Sequence, residues 1–180
     1  MSLFGKRSTP PPDLGTVQFL GELPKETEKL LMEMAPRAIQ IVHAILLFSI
    51  KHGASEIRIE RRGGTSRVLY QLGGCHLREA ACFHASLHEQ VVGRFRLLAG
   101  LTLADPRQPQ EGTFQIRIRL NEQACDFAFG VRCVPEEGTQ RVVLRCPAVE
   151  APVRAELWNT DALGPKKLWL SQTPVGSLNG

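Results

Sequence analysis

"VVGRFRLLAGLTLADPRQPQEGTFQIRIRL", residues 91–120, changes its period halfway along. On its first half and just before it, Leu87, Val91, Phe95 and Leu98 recur every three or four residues, the spacing of one helix face. From Phe114 onward the period is two. Phe114, Ile116, Ile118 and Leu120 alternate with Gln115, Arg117 and Arg119, as on a strand with one buried face. Between the halves lies Gly100–Thr113, in which Pro106 and Pro109 bracket Arg107 and Gln110-Glu111-Gly112 follows. A plain helix-to-strand connection would be shorter and less particular.

The same alternation of periods extends in both directions. Upstream, "PRAIQIVHAILLFSIKHG" reads as a helix with Pro36 in its first turn, Lys51 and His52 at its negative end and Gly53 as cap. Its apolar residues nearly encircle it, which predicts a buried helix or an interface between copies in a homo-oligomer. "LPKETEKLLMEM" is a shorter helix. Then "EIRIE", "RVLYQL" and "CHLRE" read as a meander of three strands turning at Gly63-Gly64 and Gly73-Gly74. Downstream, "TFQIRIRL", "ACDFAFGVRCV" and "TQRVVLRC" make a second meander that buries Phe127, Phe129, Val131, Cys133, Val142 and Leu144. Helix, three strands, helix, three strands predicts an α+β domain: one antiparallel sheet of about six strands with helices on one face.

The unit is expected over 23–147. Residues 1–22, containing "STPPPD", read as a tail, and 148–180, with Trp158 and Trp169, as a partly disordered extension. The longest apolar run, Ala38–Ile50, is 13 residues, against about 20 for a membrane-spanning helix. The opening residues, "MSLFGKRSTPPPD", lack the apolar core expected of a signal peptide, and five cysteines, an odd number, predict free thiols in a reducing, cytoplasmic compartment. The net charge is +4, with 16 Arg against 6 Lys. Arg58, Arg117, Arg119, Arg132, Arg141 and Arg145 should share the sheet face opposite the core. That face is either simply solvated or a basic docking surface for an acidic or phosphorylated partner.

Four segments, "LLFSIKHGASEIRIE", "RVLYQLGG", "VVGRFRLLAGLTLADPRQPQEGT" and "VPEEGTQRVVLRC", stand in one order and at one spacing. Together they resemble the N-terminal domain that precedes the motor domain in type II secretion and type IV pilus assembly ATPases. That family has A-S-D-I-H-I-E, an R-x-D-G turn, a helix ending in A-G-L-D-I-A-E-x-R-x-P-Q-D-G-R, and a P-x-x-x-G-E-R-V-V-x-R strand. The resemblance covers about residues 36–147. It implies a PAS-like α+β fold, and it implies that the Arg107 loop lies near the nucleotide held by a motor domain, where a guanidinium fork suits phosphate.

The engine itself is not in the sequence. Phosphate binding in such motors needs G-x-x-x-x-G-K-[ST], whereas the one Gly-Lys pair, Gly5-Lys6, is followed by Arg7. No run of residues after Cys146 suffices for a second α/β domain. The chain is therefore expected not to hydrolyse ATP alone and to need no cofactor. Against the family pattern, Arg107, Pro109, Gln110 and Gly112 are kept. Thr113 stands for an Arg, Ala128 or Gly130 for a second Arg, Gly73 for the Asp of the turn, and Arg58 for a His.

These losses favour an interaction role. The expected contacts are Arg107, Arg58, Arg117 and Arg119, and the expected partner is a secretion or pilus motor ATPase or an inner-membrane assembly protein. A split motor receiving Arg107 from this chain, and a basic nucleic-acid-binding module, are the alternatives. The last is disfavoured because Phe114, Phe127 and Phe129 fall on the buried face, away from the arginines. Cys75, Cys82, His84 and His88 raise zinc as a further possibility, with His84 and His88 one turn apart on a helix. Their spacing fits no standard finger.

Overall fold

The computed structural model describes residues 16–120, 123–150 and 153. Seven strands and three α-helices follow in the order β1 (Thr16–Leu20), α1 (Lys25–Met32), α2 (Pro36–His52), β2 (Ala54–Arg62), β3 (Thr65–Leu72), β4 (Arg78–His84), α3 (His88–Leu98), β5 (Gln110–Leu120), β6 (Gln123–Glu136) and β7 (Thr139–Arg145). All strands belong to one antiparallel sheet of order β1-β5-β6-β7-β2-β3-β4. Two three-stranded meanders are thus joined through the first strand of one and the last of the other, β2 and β7. The α+β architecture read from the periodicity is the one observed.

Two elements depart from the sequence reading. Thr16–Leu20 is not tail: it forms an edge strand, with Val17 opposite Ile118 and Phe19 opposite Ile116 on β5, so the sheet has seven strands. The third strand of the first meander runs Arg78–His84, not Cys75–Glu79, because the Gly73-Gly74 turn carries on through Cys75 and His76 before pairing resumes. The expected extension from 148 onward lies, apart from residues 148–150 and 153, outside the described residues, as do Trp158 and Trp169.

α2 forms as its sequence dictates. Pro36 occupies the first turn, and Gly53 ends the helix at φ 66°, a left-handed conformation that glycine adopts without Cβ strain. Ala38, Ile41, Val42, Ile45, Leu46, Leu47 and Ile50 are buried against the sheet, so the encircling apolarity serves the core. α3 adds Val91, Val92, Phe95 and Leu98. Phe114 and Phe129 stack across β5 and β6 at 5.3 Å. Removal of this much aliphatic and aromatic surface from water is the main stabilising term. α1 contributes no fully buried residue. No single helix among the described residues is long and apolar enough to cross a membrane.

Candidate functional site: the Arg107 loop and the outer sheet face

The segment between α3 and β5 is built from its base outward. Gly112 lets the returning chain close on the end of α3: a Cβ there would lie 2.5 Å from the Ala99 carbonyl oxygen and 2.9 Å from Leu101 Cδ2. Within the loop, Thr102 N–H donates to Gln110 Oε1 at 3.1 Å, and Gln110 Nε2 donates to the Asp105 carbonyl at 3.0 Å. The Arg107 N–H donates to Asp105 Oδ1 at 3.0 Å, an Asx turn that sharpens the chain at Pro106.

The core reaches into the loop as well. Arg96 of α3, almost wholly buried, donates to the Thr102 carbonyl through Nη2 and to Gln140 Oε1 through Nη1, the latter at 2.7 Å. Gln140 Nε2 donates to the Pro106 carbonyl at 2.7 Å. Arg107 itself projects away from all this. Its side chain is 92% exposed, and its one ionic contact among the described residues, with Asp105, is long at 3.8 Å.

The outer sheet face has the opposite character. Arg117 forks onto Asp126, its direct cross-strand neighbour, at 2.7 and 2.8 Å. That bidentate bond raises the Arg117 pKa and holds the Asp126 carboxyl below the usual carboxylate range. Arg58 meets Glu56 at 2.7 Å, Arg132 meets Glu111 at 3.1 Å, and Arg141 meets Glu136 at 3.7 Å. Arg119 and Arg145 have no ion pair among the described residues. The arginines expected on this face are all there, but most are neutralised where they stand.

Cys75, Cys82, His84 and His88 are not gathered. Cys75 is exposed in the β3–β4 turn. His84 ends β4 and accepts the Ser86 N–H at 3.2 Å, whereas His88 opens α3 and is buried. The expectation that these two histidines share a helix face fails because a 3-10 turn, Ala85–Leu87, separates strand from helix. His88 meets Ser66 Oγ through Nδ1 and the Gln140 carbonyl through Nε2, both at 2.8 Å. A carbonyl can only accept, so Nε2 carries the proton. No group of three or more His, Cys, Asp or Glu among the described residues is placed to hold a metal ion. Burial pushes the Cys133 and Cys146 thiols up to about 11 and about 12, which keeps both protonated at neutral pH.

Sequence reasoning missed Arg96 and Gln140. A helix arginine and a residue beside a turn both read as solvated. The available signal was spacing: Arg96 stands four residues after Val92, on a stripe that the helix buries.

Residues 32–168 match the family described as type II/IV secretion system protein. The type II secretion system ATPase E of Vibrio cholerae is 33% identical over 124 residues, which are 69% of this chain and 24% of that protein. Type II secretion system protein HxcR of Pseudomonas aeruginosa is 30% identical over 128 residues, 71% of this chain and 26% of its own length. The type IV pilus assembly ATPase PilB of Pseudomonas aeruginosa is 27% identical over 128 residues, 70% of this chain and 22% of its own. The chain thus spans about a quarter of the length of these relatives. With most of its described fold inside the matched region, the chain belongs to the type II/IV secretion system protein family.

Proposed function

We propose that this domain is a non-catalytic interaction module of the secretion machinery. It docks through the Arg107 loop onto a motor ATPase or an inner-membrane assembly protein at the cytoplasmic face of the membrane. One observation carries the reading. Arg107 is held on a loop braced from the core, while its side chain is left 92% exposed with a single long ionic contact among the described residues. A cation fixed at the backbone and free at its tip meets a carboxylate or phosphate with little ordering cost.

The non-catalytic part of the proposal rests on the sequence, which contains no G-x-x-x-x-G-K-[ST]. Family membership supports a partner within the secretion or pilus machinery, since the matched relatives are secretion and pilus ATPases. The outer face, through Arg119 and Arg145, is the secondary surface.

A second reading draws on the same exposed Arg107. The domain would supply this side chain to a nucleotide bound by another chain, as a phosphate-stabilising group. The purified chain mixed with a type II secretion or pilus motor ATPase from the same cells separates the two. Docking predicts a complex in sedimentation that Arg107→Ala weakens, whether or not nucleotide is present. The trans-acting role predicts, in addition, a hydrolysis rate that rises on mixing and returns to the motor's own rate with Arg107→Ala. A complex and a rate both indifferent to Arg107→Ala defeat both readings.

A further inference from the structure

We propose that Gln140 is a positioning residue for Arg107, a latch between the core and the loop with Arg96 as its holder. The proposal rests on reading Arg107 as the partner contact.

Gln140, the second residue of β7, is 2% exposed, and each of its side-chain and carbonyl groups has one task. Its backbone carbonyl accepts from His88 Nε2, whose other ring nitrogen meets Ser66 on β3. Its Oε1 accepts from Arg96, and its Nε2 donates to the Pro106 carbonyl. That last bond falls on the peptide unit entering Arg107. The C=O of this unit points inward to Gln140, and its N–H donates to Asp105. With both ends of a planar unit fixed, the position of the Arg107 Cα is fixed too. Arg96 pins the same loop four residues earlier, at Thr102.

The chemistry of the network favours placement over stability. Arg96 is 4% exposed, has no carboxylate in contact among the described residues, and leaves its Nε without a partner. Buried charge arranged this way stabilises less than apolar packing of the same volume. The network's N–H groups are instead aimed at two loop carbonyls ahead of the exposed side chain, those of Thr102 and Pro106.

Gln140→Glu separates the two roles. The carboxylate keeps, and strengthens, the bond to Arg96, but it has no N–H for the Pro106 carbonyl and repels it. The expected result has three parts: an unfolding midpoint equal to or above wild type, amide exchange across residues 104–110 faster by about five- to tenfold, and affinity for the motor ATPase reduced about as far as by Arg107→Ala. Gln140→Met, neutral and of similar length, serves where the Glu variant does not fold. Unchanged exchange in 104–110, or a loss of stability spread evenly over the sheet in both variants, overturns the latch. Weak binding by Arg107→Ala alongside full binding by Gln140→Glu also overturns it and leaves the Arg107 reading standing. Full binding by Arg107→Ala defeats that reading instead.

Discussion

Arg107 and Arg117 are both surface arginines, and they stand in opposite situations. Around Arg117 the backbone is ordinary strand and the charge is committed, forked onto Asp126 across the sheet at 2.7 and 2.8 Å. Around Arg107 the charge has only a long contact to Asp105 among the described residues, and it is the backbone that is committed, tied at Thr102, Asp105, Pro106 and Gln110. Counting arginines on a face therefore overstates how basic it is. The more telling sign of a contact surface is structure invested in holding a chain whose side chain touches little.

The comparison breaks most visibly at glycine. Gly112→Ala forces a Cβ to 2.5 Å from a backbone oxygen that cannot move without shifting α3's end. A loss of about 2–4 kcal/mol is expected in urea unfolding. The same change at Gly130, on the outer face, meets only Arg145 Cβ at 3.5 Å, an ordinary contact, and should alter stability by less than about 1 kcal/mol. Equal effects at the two positions would remove the distinction between a tightly built loop base and a tolerant sheet face.

Two histidines, His88 fully buried and His43 partly so, sharpen the same point about what holding costs. His88 has both ring nitrogens bonded. His43, beneath β1 and packed 5.9 Å from Phe19, has no partner for Nε2. Desolvation, with Arg94 adding repulsion, lowers its pKa from 6.5 to about 4. The unfolded chain then binds a proton that the folded chain refuses between about pH 6.5 and 4, so stability rises with pH across that window. Unfolding free energy should fall by up to about 3 kcal/mol from pH 7 to pH 4, and His43→Phe should remove that slope. A slope that survives the substitution points to other groups.

Smaller effects concern the surface. Arg117→Ala breaks an exposed ion pair and should leave the thermal midpoint where it is, since such pairs contribute little net stability. Arg107→Ala should likewise not move the midpoint, and its whole effect should appear in binding.

Much of this architecture was legible from period alone. The change from 3.6 to 2 at residues 99–114, and the alternation on β5, β6 and β7, place most of the apolar core. β1 was not legible. Thr16–Leu20 is five residues beside a proline-rich stretch, and its stability comes from pairing with β5, about a hundred residues away, which no local pattern reports. The start of β4 was misplaced for a related reason: "CHLREAACFH" contains small residues that fit either neighbour, and the bulge at Val68/Leu69 breaks its alternation. Arg107 was visible as the odd residue of an odd loop. What fixes it was only half visible: Arg96 falls on the buried stripe of α3 and Gln140 shares the strand face of Val142 and Leu144, but their bonds to the loop arise only where α3, β7 and the loop meet. The pairing of Arg117 and Arg132 was equally hidden, since cross-strand register decides it, whereas Arg58 meets Glu56 two residues away on its own strand.

The most direct test is a comparison of dissociation constants for the purified motor ATPase at about 0.15 M salt. The three proteins compared are wild type, Arg107→Ala, and the double variant Arg117→Ala with Arg119→Ala. If a core-braced loop with one exposed guanidinium is the principal contact, Arg107→Ala weakens binding by about tenfold or more while the double variant stays within about threefold of wild type. The reverse order, with the sheet-face pair carrying the loss and Arg107 dispensable, contradicts the account.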